Sequence, residues 1–164
     1  QEKYLARSGR EPFAPRFALT ANLAVRRDIF LELGGLDPNL VHAVEDADFC
    51  LRLADAGWGL EYCAQGVVTH HHRATARELW RQASDWGAGQ AELFAKWQRR
   101  WGRRVWIEPR HWVWAAKGLL KTPWRLATGR TPLERWEPWL DFLANAGLAW
   151  GRLSMGVRKG KLVL

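Results

Sequence analysis

At 164 residues the chain has room for one domain, or slightly more than one, with a core of its own. Its two cysteines, Cys50 and Cys63, form neither a CxxC pair nor a disulfide framework, which favours a reducing, cytosolic compartment. No signal peptide is visible, and Lys117 and Arg152 interrupt the longest apolar runs well short of the roughly 20 residues that span a bilayer. The net charge of +8 is uneven. Residues 1–73 hold eight Lys and Arg against ten Asp and Glu, residues 74–164 hold seventeen against seven, and eleven of the twelve tryptophans lie in that second region.

"FALTANLAVRR" alternates as a strand would, with Leu19, Ala21, Leu23 and Val25 on one face and Thr20 and Asn22 on the other. "RRDIFLELGG" predicts a short helix with Ile29, Phe30 and Leu33 as its buried stripe and Gly34 as a left-handed cap. After the turn "GGLDPN" come three acids in four positions, Glu45, Asp46 and Asp48, opening a helix from Asp46 to Ala56. Phe49, Leu53 and Ala56 share a face of that helix, and Gly57 ends it. "WGLEYC" and "GVVTH" predict two further strands.

Free N–H groups and the helix dipole favour one or two acids at a helix start. A third goes beyond capping, because each added carboxylate raises the proton affinity of its neighbours. Such clusters suit a cation, a proton transfer or a substrate hydroxyl.

From "TANLAVRRDIFLELGGLDPN" through the "ED-x-D" of Glu45–Asp48 and "LRLADAG" to "VVTHHHR", the order of motifs resembles the C-terminal half of a family-2 glycosyltransferase with the GT-A fold. The resemblance is strong over about residues 17–75 and weak to about 104. It implies an α/β fold, a partial GT-A domain at 1–75, followed by a basic, Trp-rich helical extension at 76–164. It implies an inverting enzyme that moves a sugar from a nucleotide-sugar donor to a hydroxyl of an envelope polysaccharide, glycolipid or other acceptor. Asp46 takes the place of the catalytic base and Glu45 tunes it; Asp48 supports the site or binds acceptor. Asn22 matches a polar residue facing the donor cleft, and Asp37 shapes its loop. His70, then His72, match the position that completes a divalent cation site, Mn²⁺ or Mg²⁺, on the nucleotide diphosphate; Arg73 either offsets charge there, as a substrate-binding residue, or is simply a surface charge. Asp46-Ala47-Asp48 is literally a DxD, but it opens a helix after Gly-Gly-Leu-Asp, whereas the family's metal-binding DxD follows a strand in the donor-binding half. That half is not visible in this sequence. The chain is therefore expected to act as part of a longer one, and to bind nucleotide-sugar poorly by itself.

In the basic region Leu79, Ala83, Trp86, Leu93, Trp97 and Trp101 keep helical spacing, and two further helical segments follow, broken at Pro123 and Pro132. Tryptophan beside Arg and Lys on short helices suits a peripheral contact with the inner face of the cell membrane. Equally, the tryptophans could form the core of the extension and the arginines its solvated face. Nucleic-acid binding is disfavoured, because the basic residues are dispersed and no reader motif is present. The remaining alternative is a non-catalytic glycosyltransferase remnant serving as a membrane-surface or interaction module; retention of Asp46 and His70 argues for an enzyme.

Overall fold

The computed structural model describes residues 17–69, 71, 73–100, 102 and 109–160. The chain divides into two compact units, one running through His71 and the other starting at His72.

In the first unit a single 3-10 turn, Thr20–Asn22, precedes helix α1, Arg27–Glu32. Helix α1 closes in a Schellman motif: Gly35 N–H donates to Phe30 O at 2.8 Å and Gly34 N–H to Leu31 O at 3.0 Å. Gly34 sits at φ +75°, the left-handed conformation that the motif requires and that glycine reaches without a Cβ penalty. Helix α2, Glu45–Asp55, ends the same way, with Trp58 N–H on Leu53 O, Gly57 N–H on Ala54 O and Gly57 at φ +84°. Ile29, Phe49 and Leu53 form the centre of this unit's core, flanked by Leu23, Phe30, Leu33, Leu36 and Leu60. The Phe30 and Phe49 rings meet at 5.3 Å. Ala56, expected on the same stripe, is exposed.

The expected α/β, partial GT-A arrangement is overturned: the described residues contain helices and no strand. Leu19 and Leu23, on either side of Thr20–Asn22, do take extended backbone. A strand, however, is completed by a neighbour's ladder of N–H and C=O groups. Here the 3-10 turn interrupts the first expected strand. Its tie to the last one is a side-chain bond, Asn22 Nδ2 donating to Gly66 O at 2.8 Å, rather than a ladder.

Among its described residues the second unit has three helices: α3, Ala76–Trp97; α4, Arg110–Thr128; and α5, Pro132–Arg158. A capping box starts α3, Thr75 Oγ1 accepting from Glu78 N–H while the Glu78 carboxylate accepts from Thr75 N–H. Helix α5 packs against both others, and small residues make the contacts. A Cβ on Gly151 would fall 2.0 Å from Ser84 O, one on Gly87 2.1 Å from Leu148 O, and one on Gly118 2.6 Å from Pro138 O. Polar locks join the same helices. Fully buried Arg152 donates through Nε to Gln90 Oε1 at 2.6 Å, and His111 Nδ1 stands 2.9 Å from Asn145 Oδ1.

Two expectations change in this unit. Trp86, on the apolar stripe expected of α3, is exposed; the buried face is Ala83, Gly87, Ala88, Ala91 and Phe94. Small side chains let backbones approach and leave no room for an indole. Pro132 does open α5, at the position where a missing N–H costs nothing. Pro123, by contrast, lies inside an unbroken α4. It removes one backbone bond, to Leu119 O, on an exposed part of the helix, and α4 is held to α5 on its other side through Gly118 and His111.

Candidate active site

The acidic cluster lies in the first turn of α2, after Val44, a cap residue with no side-chain oxygen to offer. Asp46 fills that role instead. Its Oδ1 accepts from Ala47 N–H at 2.7 Å, and its Oδ2 from Thr20 N–H at 3.1 Å. The second bond pins the 3-10 turn over the helix start. A carboxylate offers about four acceptor positions, so these two bonds leave each oxygen able to take a further hydroxyl.

Asp46 is buried to 7 % exposure. Burial pushes its carboxyl above the ordinary value of 3.8; the bonds from Thr20 and Ala47 oppose that, and the charge of Glu45 adds to it. Glu45 is half-buried beside it. A raised carboxyl that still points at two N–H dipoles is a stronger base than a surface aspartate and keeps a fixed orientation.

Asp48 is in a different setting. It is fully buried, and Arg52 Nε donates to its Oδ2 at 2.9 Å, one helical turn on. The Arg52 guanidinium also donates to Leu33 O and Gly35 O, so it clamps the end of α1 to α2. Arg52 carried no role in the sequence reading, although an Asp and an Arg four apart on a helix were a legible signal. Asp37 accepts from both Asn39 N–H and Asn39 Nδ2 at 2.9 Å, which folds the loop after Gly-Gly back on itself.

Another residue the sequence did not mark is Ala43, at φ +52°, the left-handed region that L-residues avoid. It stands two residues before Glu45, where a tight reversal delivers the chain into α2. Cys50, fully buried on α2, sits 3.4 Å from Ala18 N and adds a second tie to the segment before the 3-10 turn. Burial raises its thiol, so it packs rather than reacts.

Asn22 is exposed on the 3-10 turn with its amide on Gly66 O. Thr20 and Asn22 thus bring Asp46 and Asn22 into one local framework. Arg73 is exposed and belongs to the second unit. His70 and His72, the expected cation ligands, lie outside the described residues. Among the described residues no three His, Cys, Asp or Glu side chains are grouped to hold an ion.

These residues fall within a match to a known family. The family model for glycosyl transferase family group 2 covers residues 5–152, and the chain belongs to that family. Among curated proteins it is similar to the O-antigen chain rhamnosyltransferase RfbN of Salmonella typhimurium strain LT2, 37% identical over 68 residues, 42% of this chain and 21% of that protein. The O-antigen chain rhamnosyltransferase WbaN of Salmonella anatum matches at 35% over the same length. A pre-mycofactocin glycosyltransferase of Mycobacterium tuberculosis matches at 32% over 81 residues, 49% of this chain and 16% of that protein. The chain thus aligns with about a fifth of the length of these relatives. No solved structure matches it.

Proposed function

We propose that this chain is the base-bearing, acceptor-side part of an inverting glycosyltransferase that extends a cell-envelope saccharide. The observation that carries the reading is Asp46: a buried, raised carboxyl, oriented by two backbone N–H groups, at the family's acidic motif. The O-antigen chain rhamnosyltransferases among its relatives support a saccharide acceptor of that class.

In this reading an acceptor hydroxyl donates to Asp46. As its oxygen attacks the anomeric carbon of a nucleotide-sugar, the proton passes to Asp46, the new glycosidic C–O bond forms, and the bond to the nucleotide diphosphate breaks. The diphosphate leaves with the electron pair, and a single displacement inverts the anomeric centre. Glu45 helps hold Asp46 basic, and Asn22 fixes the turn that supplies Thr20. By the resemblance, His70 and His72 would hold a divalent cation, which would offset charge on the leaving diphosphate. Loss of transfer on chelation, restored by Mn²⁺, is the outcome that assignment expects.

The test is Asp46→Asn in the whole native protein, assayed for sugar transfer. General-base loss lowers the rate by about two to four orders of magnitude. Undiminished turnover removes Asp46 from this role and moves the base elsewhere, first to its neighbour Glu45.

A further inference from the structure

Apart from buried Phe94 and Met155, the second unit turns mainly small residues inward and leaves many large apolar residues outside, and α4 shows this most fully. Its buried side is His111, Ala115, Gly118 and Thr122. At 3.6 residues per turn, Val113, Ala116, Leu120, Trp124 and Ala127 fall on the opposite side. All five are exposed, Leu120 to 78 % and Trp124 to 61 %. Arg110, Lys117, Lys121 and Arg125 form one flank of that face, and no Asp or Glu occurs between Arg110 and Thr128. The Arg125 guanidinium lies over the Trp124 ring at 5.2 Å, so a basic group and an indole share the border of the face. Beside this flank, a groove of about 490 Å³ against α5 is lined by Lys117, Lys121 and Arg125 together with Glu137 and Asp141, so positive charge stays in excess there.

We propose that α4 is a docking surface for an anionic lipid bilayer, lying along the headgroup boundary with Leu120 and Trp124 in the acyl region and the basic flank on headgroup phosphates. Charge complementarity selects this occupant. A helix face that is apolar, bordered by cations of its own helix and only partly offset by Glu137 and Asp141 beside it matches a surface that is apolar inside and anionic at its rim. A second copy meeting this face would set two basic flanks against each other, which costs energy rather than specifying a contact. No helix among the described residues is long and apolar enough to cross a membrane, so α4 lies on the bilayer. The inference does not depend on Asp46 or on sugar transfer.

The experiment is co-sedimentation of the 164-residue chain with vesicles of phosphatidylcholine alone, and of three parts phosphatidylcholine to one part phosphatidylglycerol. The chain is expected to sediment with the anionic vesicles and not with the neutral ones, and to be released by high salt. Lys117→Gln with Lys121→Gln weakens partitioning about thirty-fold. Leu120→Asn with Trp124→Asn abolishes it while helical circular dichroism is unchanged, since both side chains are exposed. Equal binding to neutral vesicles, no binding to either, or folded double variants that bind like the parent overturns the proposal. Concentration-dependent dimerisation that the Leu120/Trp124 variant abolishes overturns it in favour of a second copy.

Discussion

At the scale of single residues, the acids of the cluster divide by environment. The Asp46 carboxylate is oriented by two backbone N–H groups, whereas Asp48 is enclosed and bonded to Arg52. Burial raises the Asp46 carboxyl above 3.8, so the folded state holds its proton more tightly than the unfolded chain does. Its contribution to stability is therefore full below that ordinary value and is lost as pH rises through the raised native value. Denaturant titrations across this range should show that fall, and Asp46→Asn should flatten it. If the base assignment holds, the acid limb of kcat against pH in the native protein reports a pKa above the ordinary carboxylate value. For Arg52→Ala, the fully buried Asp48 loses its ion-pair partner and α1 loses its clamp, so unfolding free energy should fall by about 3–5 kcal/mol. Arg52→Lys should recover only part of this, because an ammonium cannot span a carboxylate and two carbonyls. At Ala43 a β-branched residue meets more crowding in the left-handed region, so Ala43→Val should cost more than about 1 kcal/mol, whereas Ala43→Gly should be near neutral.

At the scale of elements, what was legible in the sequence is what short-range chemistry decides. Gly34 and Gly57 marked both helix ends of the first unit, because a Schellman cap is set by one residue and its immediate neighbours. The start of α2 at the acids was legible for the same reason. The strands were not, since "FALTANLAV" carries the alternation but ladder formation depends on a partner distant in sequence. The interior of the second unit was also hidden: large apolar residues dominate a hydropathy reading, yet glycines and alanines make the helix contacts. Those contacts fix a further outcome. Gly151→Ala adds a methyl 2.0 Å from Ser84 O, and no rotamer removes a Cβ. Despite alanine's better helix propensity, α3 and α5 should be forced apart at a net cost of about 1–3 kcal/mol, read by thermal or urea unfolding.

At the scale of the whole molecule, two units with different chemistry share one chain. The first is slightly acidic and carries the family's motif; the second is basic, helical and apolar on its outside. The candidate site was more legible than the fold, because Glu45, Asp46 and Asp48 are adjacent in sequence and bring their own chemistry. What surrounds them, the Thr20 tether and the Arg52 clamp, comes from segments 26 and up to 19 residues away and had to be seen folded. The most direct test of the account compares sugar transfer by the whole native protein with that of its Asp46→Asn variant, with nucleotide-sugar binding measured alongside. The account expects transfer to fall by about two to four orders of magnitude while donor binding stays nearly unchanged. A variant that transfers sugar at the parent rate would contradict it.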